Sequence, residues 1–260
     1  MDLNMFKPYI KLLPEIKPPA RAPSLNEKLT WTIIALVIFF VMYHVYPIST
    51  IPVKGGQFEF LQMIMASKIG SLITAGIGPI ILASIFLQLF IGAKIINIDL
   101  SDPEQKALYH GVQKLLAVAL CFFESGVYVY SILMIPGNPY VGINPLFGGF
   151  TALFITLQLA LGSVILLYLD EIVSKYGIGS GISLFIAAGV SLAVLQGTIS
   201  VLLPNALKAL EAGGADALAL AILALLPLAF TAIVFLASTY AEGMKVEIPL
   251  AFERARGFGG

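Results

Sequence analysis

Few side chains in the apolar stretches of this 260-residue sequence carry groups able to do chemistry. Glu124 is the one acid well inside the long apolar run 107–135. A carboxylate at membrane depth either faces a bundle interior or cavity, or sits protonated against a satisfying neighbour. Gln113, in the same run, and Gln88, in the run 72–92, are weaker signals of the same kind, and Gln158, midway along 146–169, suits a bridge between helices. Asp170, Glu171 and Lys175 close that run and read as a solvated turn. The single cysteine, Cys121, lies among apolar residues, which excludes a disulfide framework and makes the thiol a small hydrophobe. With only His44 and His110 beside it, no zinc-ligand spacing exists, so neither metal nor cofactor is expected. There is no Gly-x-Ser-x-Gly, no His-Glu-x-x-His, no pair of intramembrane aspartates and no phosphate loop. Gly177-Ile178-Gly179 lacks the soluble strand that precedes a nucleotide fingerprint. The chain does not read as an enzyme.

What remains is steric rather than reactive. Gly76-Ile77-Gly78-Pro79 and Gly177-Ile178-Gly179-Ser180-Gly181 each break the backbone just before an apolar run. Each break is followed by two isoleucines four residues apart, Ile77 with Ile81 and Ile182 with Ile186. Residues at i and i+4 share a helix face. The small residues Ser183, Ala187, Ala188 and Gly189 flank the second pair, and small residues let helix backbones approach closely. Such pairs either pack as helix core or line an apolar constriction that excludes water and ions by dewetting.

The elements that hold these residues are membrane spans. The chain is 58% hydrophobic and 12% charged, where an average soluble domain is about one-quarter charged. Net charge is zero, which points to no nucleic-acid partner. Runs of about 20 apolar residues can cross a bilayer, and six are expected: 29–47, stopped by Pro47; 72–92; 107–135; 146–169; 181–203, stopped by Pro204; and 217–241, which contains Pro227. With the N-terminus inside, 12 of the 15 Lys and Arg residues fall on the inner side and Lys54, Lys68 and Lys208 on the outer, the bias that sets orientation. Residues 1–28 form a basic, proline-rich inner segment, either a tail or, around Phe6–Leu13, an amphipathic piece on the membrane surface.

The stretch 48–71 is too polar to span and too apolar for an ordinary loop. From Phe60 to Ser71 it reads as a short amphipathic helix running into the break at Gly76, so the second span becomes two pieces, a half-helix dipping in from outside and a true span from about Pro79. Non-helical backbone at that depth survives only if buried in protein or facing a water-filled cavity. The segment 242–260 alternates charge and apolarity through Val246, Ile248 and Leu250, like the first strand of a hairpin cut short.

Three long stretches resemble the SecY family, the central subunits of Sec protein-conducting channels, in their archaeal and eukaryotic form. They are Ala66-Ser67-Lys68-Ile69-Gly70 through Gly76-Ile77-Gly78-Pro79, then Tyr168-Leu169-Asp170-Glu171 through Gly179-Ser180-Gly181-Ile182, then Tyr240-Ala241-Glu242 through Ile248-Pro249-Leu250. The resemblance implies an all-α polytopic bundle: the first, five-helix half of an inverted-repeat channel over 29–203, with a broken second helix, then a sixth helix over 217–241 and the start of a docking loop over 242–260. It implies that Ile77, Ile81, Ile182 and Ile186 contribute to a pore ring. Leu61, Ile64, Met65, Ser67, Lys68, Ile69 and Ser71 would belong to a plug, and Leu82 and Glu124 to a lateral gate. Lys245, Glu247, Arg254 and Arg256 would belong to the cytosolic loop that docks the ribosome. The implied partners are small membrane subunits of the SecE (gamma) and beta types, the ribosome, the signal recognition particle receptor, signal peptides and nascent chains, membrane lipid, and the C-terminal half of the same channel. The implied place is the plasma membrane, with the N-terminus cytoplasmic. Two rivals share the pattern. A solute transporter also uses broken helices and inverted repeats, but it points charged groups at its substrate. A pore-free scaffold or insertase would bury the isoleucines as packing.

Overall fold

The computed structural model describes residues 3–52, 68, 70–96, 98, 101–133, 141–143, 146–211 and 217–243. They fall into two units, 1–193 and 194–260.

In the first unit a 3-10 turn, Leu3–Phe6, leads into the short helix α1 (Lys7–Ile10). Helix α2 (Leu25–His44) starts at a capping box. Glu27 N donates to Ser24 Oγ at 3.4 Å and Ser24 N donates to Glu27 Oε2 at 2.9 Å, which satisfies N–H groups that no helical carbonyl can reach. The helix stops at His44, three residues before the expected Pro47, where Val45 turns to extended backbone (φ −86°, ψ 128°). Proline disfavours helical geometry in the residue before it, so the chain is extended by the time it reaches Tyr46-Pro47. After α2 come β1 (Thr50–Pro52), α3 (Gly78–Gly92), α4 (Pro103–Tyr128) with a π-helical turn Val129–Leu133, β2 (Val141–Ile143), α5 (Thr151–Tyr176) and α6 (Gly181–Gly197).

The expectation of an all-helical chain holds apart from one small antiparallel ribbon. β1 pairs with β2, Thr50 opposite Ile143 and Pro52 opposite Val141. It ties the connection after α2 to the one between α4 and α5.

Five helical runs among the described residues are long and apolar enough to cross a membrane: Leu25–His44, Pro103–Ser131, Gly148–Tyr176, Gly181–Glu211 and Leu218–Gly243. The second expected span is the exception. α3 has 15 residues, about 22 Å of helix against a hydrocarbon core of about 30 Å. The missing length is the chain of turns ahead of it, where Ser71, Ile73, Thr74, Ala75 and Ile77 are all fully buried. This is irregular backbone sealed inside protein, as its depth requires.

α5 is the central helix. Half of its apolar window is buried, compared with 28% for α4 and 17% for α2. It packs against α2 on one side and α4 on another, and α4 packs against α3. Gly162 lets the turn chain approach α5, since a Cβ there would overlap the Leu72 carbonyl. The main core joins Phe39, Ile73, Ile77, Leu166 and Phe185. Phe39 and Phe185 stack with centroids 5.2 Å apart and planes 14° apart.

The second unit comprises the end of α6, a π-helical turn Thr198–Leu202, α7 (Leu203–Glu211) and α8 (Ala217–Gly243). Pro204, expected to stop the fifth span, does not: helix continues through it to Glu211. Proline cannot donate to the carbonyl four residues back, and its ring crowds it. The π turn just before it changes the bonding ladder to five-residue steps where that break would fall. α8 runs unbroken past Pro227, and its large apolar side chains, Leu223, Phe235 and Leu236 among them, stand exposed, as a lipid-facing or partner-facing helix requires.

Candidate functional site

The two glycine-broken helix starts build one apolar site. Ahead of α3, Gly76 adopts φ +60°, a conformation open to glycine at little cost. Gly76 N donates to Ile73 O at 3.0 Å, and Ile80 N and Ile81 N both donate to Ile77 O at 3.1 Å. Pro79 sits in the first turn, where its missing N–H leaves no bond unmade. Ahead of α6, Gly179 takes φ +71°. The start of α6 is capped from another helix: Asp170 of α5 accepts a hydrogen bond on Oδ1 from Ile182 N at 2.8 Å. A Cβ on Gly181 would lie 2.5 Å from Asp170 Cα, so this cap needs glycine for room.

These starts bring all four isoleucines into the same cluster. Ile77 is fully buried. Ile81, Ile182 and Ile186 are partly buried and pack against the cluster with Leu72, Phe40 and Tyr43. Ile77 is sealed within the cluster, while Ile81, Ile182 and Ile186 each keep part of their surface uncovered.

The other expected site residues are distributed around this cluster. Leu82 is 39% exposed on α3. Glu124 lies half-buried on α4, and its Oε2 is buried with no hydrogen-bond partner among the described residues. Lys68 and Ser71 do not extend a helix as expected. Ser71 N and Oγ both donate to Lys68 O, at 2.9 and 2.7 Å, and Thr74 Oγ1 accepts from Gly70 N at 3.0 Å. Hydroxyl side chains close local turns in competition with helix. Lys68 Nζ lies 5.2 Å from the Tyr43 ring centroid and 5.5 Å from that of Tyr46, within cation–π range. Leu61, Ile64, Met65, Ser67 and Ile69 lie outside the described residues, as do Lys245, Glu247, Arg254 and Arg256. Gln158 does not bridge two helices as expected but joins α5 to the backbone after α2: Oε1 accepts from Ile48 N at 2.9 Å and Nε2 donates to Ile48 O at 3.3 Å. No group of three His, Cys, Asp or Glu side chains able to hold a metal comes together among the described residues.

One polar cluster contradicts its sequence reading. Asp170, Glu171 and Lys175 do not form a solvated turn. Besides the Asp170 cap, Glu171 pairs with Lys114 of α4 at 2.5 Å and with Lys175 at 2.8 Å. The Lys114 and Glu171 side chains are only 14% and 19% exposed. Lys114 Nζ also lies 4.5 Å from the Tyr168 ring centroid. The spacing of Glu171 and Lys175 marks an i,i+4 pair; the reach to Lys114 across two helices leaves no trace in the spacing.

Fold and site together define a multi-span helical membrane protein whose two broken helix starts meet in one apolar cluster. Residues 71–260 match the SecY family model. The chain belongs to the SecY family. It is 44% identical over 250 residues to the protein translocase subunit SecY of Methanocaldococcus jannaschii, covering 96% of this chain and 54% of that protein. It is 40% identical over 257 residues to that of Methanococcus vannielii, covering 96% and 55%. Two similar solved structures are Sec61 in the canine ribosome-channel complex from the endoplasmic reticulum (TM-score 0.76, 42% identity) and a protein-conducting channel (TM-score 0.77, 42% identity). Each covers 96% of this chain and is itself 55% covered. A third, concerned with the plug domain that stabilises the closed state of SecY, has a TM-score of 0.73 at 41% identity. The chain thus spans little more than half the length of these relatives.

Proposed function

We propose that this chain forms one side of a protein-conducting channel that passes unfolded secretory polypeptides across the plasma membrane and releases apolar segments sideways into lipid. The observation that carries the reading is the convergence of Ile77, Ile81, Ile182 and Ile186 from two separately broken helices into one apolar cluster. Ile77, Ile81, Ile182 and Ile186 are the chain's share of a ring that closes on itself when empty and widens around a translocating chain. Their apolar, deformable side chains exclude ions by dewetting. The N-terminus lies in the cytoplasm, in keeping with the basic-residue bias.

In this reading Leu61, Ile64, Met65, Ser67, Lys68, Ile69 and Ser71 belong to a plug over the outer side of the ring, consistent with the role that the SecY structure's name gives to its plug domain. α3 and α4 form one wall of a lateral gate that carries Leu82 and Glu124. Lys245, Glu247, Arg254 and Arg256 serve ribosome docking, in keeping with the ribosome-bound Sec61 relative. The remaining partners are the small SecE- and beta-type subunits, the signal recognition particle receptor, signal peptides and nascent chains, and the C-terminal half of the channel. Transport is passive: a motor or the ribosome supplies the force, and a segment leaves through the gate when burial in lipid is favourable enough. No residue here acts as acid, base or nucleophile on the substrate.

Site-specific photocrosslinking from positions 81 and 186 to a stalled secretory chain, in the full-length channel, tests this. Crosslinks at both positions that vanish when the signal sequence is disabled are expected. Crosslinks to lipid or neighbouring helices alone would make these isoleucines packing residues and reopen the scaffold reading. Ion-coupled solute uptake would favour the transporter.

A further inference from the structure

The N-terminal segment is not a free tail; it is strapped across the helix ends. Phe6 and Ile10 pack into a cluster with Leu87 of α3 and Tyr109 and Val112 of α4. Gly111 makes room for this, because a Cβ there would lie 2.6 Å from the Ile10 Cγ2 methyl. Further along, Lys114 Nζ donates to Pro14 O at 2.7 Å, Ile16 N donates to Glu171 Oε1 at 3.3 Å, and Lys175 Nζ donates to Ile16 O. Tyr176 OH donates to Lys17 O at 2.8 Å. The strap therefore touches α3, α4 and α5, and one carboxylate, Glu171, receives the strap, α4 and its own helix at once.

We infer that Glu171 and the strap form a latch that holds α4 against α5 and so sets how apolar a segment must be to leave through the gate. The inference rests on the channel reading, in which α4 is a gate wall. In that reading a contact that fixes α4 on α5 fixes the position of one edge of the gate. Here α4 is held by a mostly buried ion pair, and charge-assisted hydrogen bonds are roughly twice as strong as neutral ones. Two strap carbonyls, those of Pro14 and Ile16, take up remaining lysine protons, so the network is bonded on both sides of the pair. A device fixed in the resting arrangement raises the work of opening, and a bistable element responds to the loss of such a contact by shifting its population. Glu171 is thus a positioning residue, since it touches no substrate and acts through α4.

The test is a graded series of segments of increasing hydrophobicity, each scored as membrane-inserted or fully translocated, in the full-length channel. Glu171→Gln removes the charge. Ile16→Pro removes the strap's N–H donor to Glu171, along with the isoleucine side chain, and leaves every helix residue in place. Both variants are expected to raise the inserted-to-translocated ratio of a marginal segment by about threefold to tenfold, the size of one ordinary net hydrogen bond. The double variant should depart from the sum of the two singles, because both changes act on the one Glu171 network. A purely structural role would lower channel abundance and leave the ratio unmoved. An unchanged ratio at normal abundance, a shift toward translocation, or failure of both variants to accumulate overturns the latch alone. An unaltered channel that releases not even a strongly apolar segment overturns the channel reading, and the latch with it.

Discussion

In the proposed channel Ile81 and Ile186 carry two duties that pull in different directions. They pack on the core cluster, yet each keeps part of its surface uncovered. Trimming both to alanine should therefore raise ion leak through the full-length channel more than it lowers stability; conductance across planar bilayers, with abundance as control, checks this. Phe185 is the contrasting case. It is fully buried against Phe39, with no open edge, so Phe185→Ala should lower stability by about 3–5 kcal/mol, read as the fall in thermal unfolding midpoint in detergent. Asp170 acts between these extremes. Asp170→Ala leaves the Ile182 N–H at the start of α6 without its acceptor, and losing such a cap costs about 1 kcal/mol. Amide exchange confined to the first turn of α6 should speed up. Of these residues the isoleucine pairs were legible from spacing alone. The Asp170 cap was not, because its partner lies 12 residues away across a turn, and no local pattern distinguishes a capping carboxylate from a solvated one.

At the scale of elements, the broken second span depends on α5. The turns from 70 to 77 bury a stretch of non-helical backbone, and they fit only because Gly162 admits the Leu72 carbonyl. Gly162→Ala should destabilise the fold by about 1–3 kcal/mol through overpacking, despite alanine's better helix propensity. In the same thermal assay, a rise in midpoint would show that the turns have room to move aside. The glycine break and Pro79 signalled that α3 starts late. That Ser71 and Thr74 close turns instead of extending a helix was hidden, since hydroxyl residues on an amphipathic pattern are compatible with both. Pro204 misled for a similar reason. A proline marks a break in an ideal ladder, but a π turn absorbs it.

For the whole molecule, the basic-residue bias makes a sharp claim about sidedness. In a channel cleared of its native cysteines, buried Cys121 among them, single cysteines at Lys28 and Lys175 should react with a membrane-impermeant maleimide from the cytoplasmic side only. Cysteines at Lys54 and Lys208 should react from the outer side only, and the reverse pattern would invert the topology. The class and the two broken starts were determined by the sequence itself. Apolar run length and glycine-proline punctuation act locally, and a bilayer admits few answers to them. Tertiary structure alone decided that the four isoleucines share one cluster, that Gly162 seats the turns, and that residues 6–17 strap three helices through Glu171. Each of these joins residues far apart in the chain, and which of many compatible side chains meet is settled only when the helices close on one another.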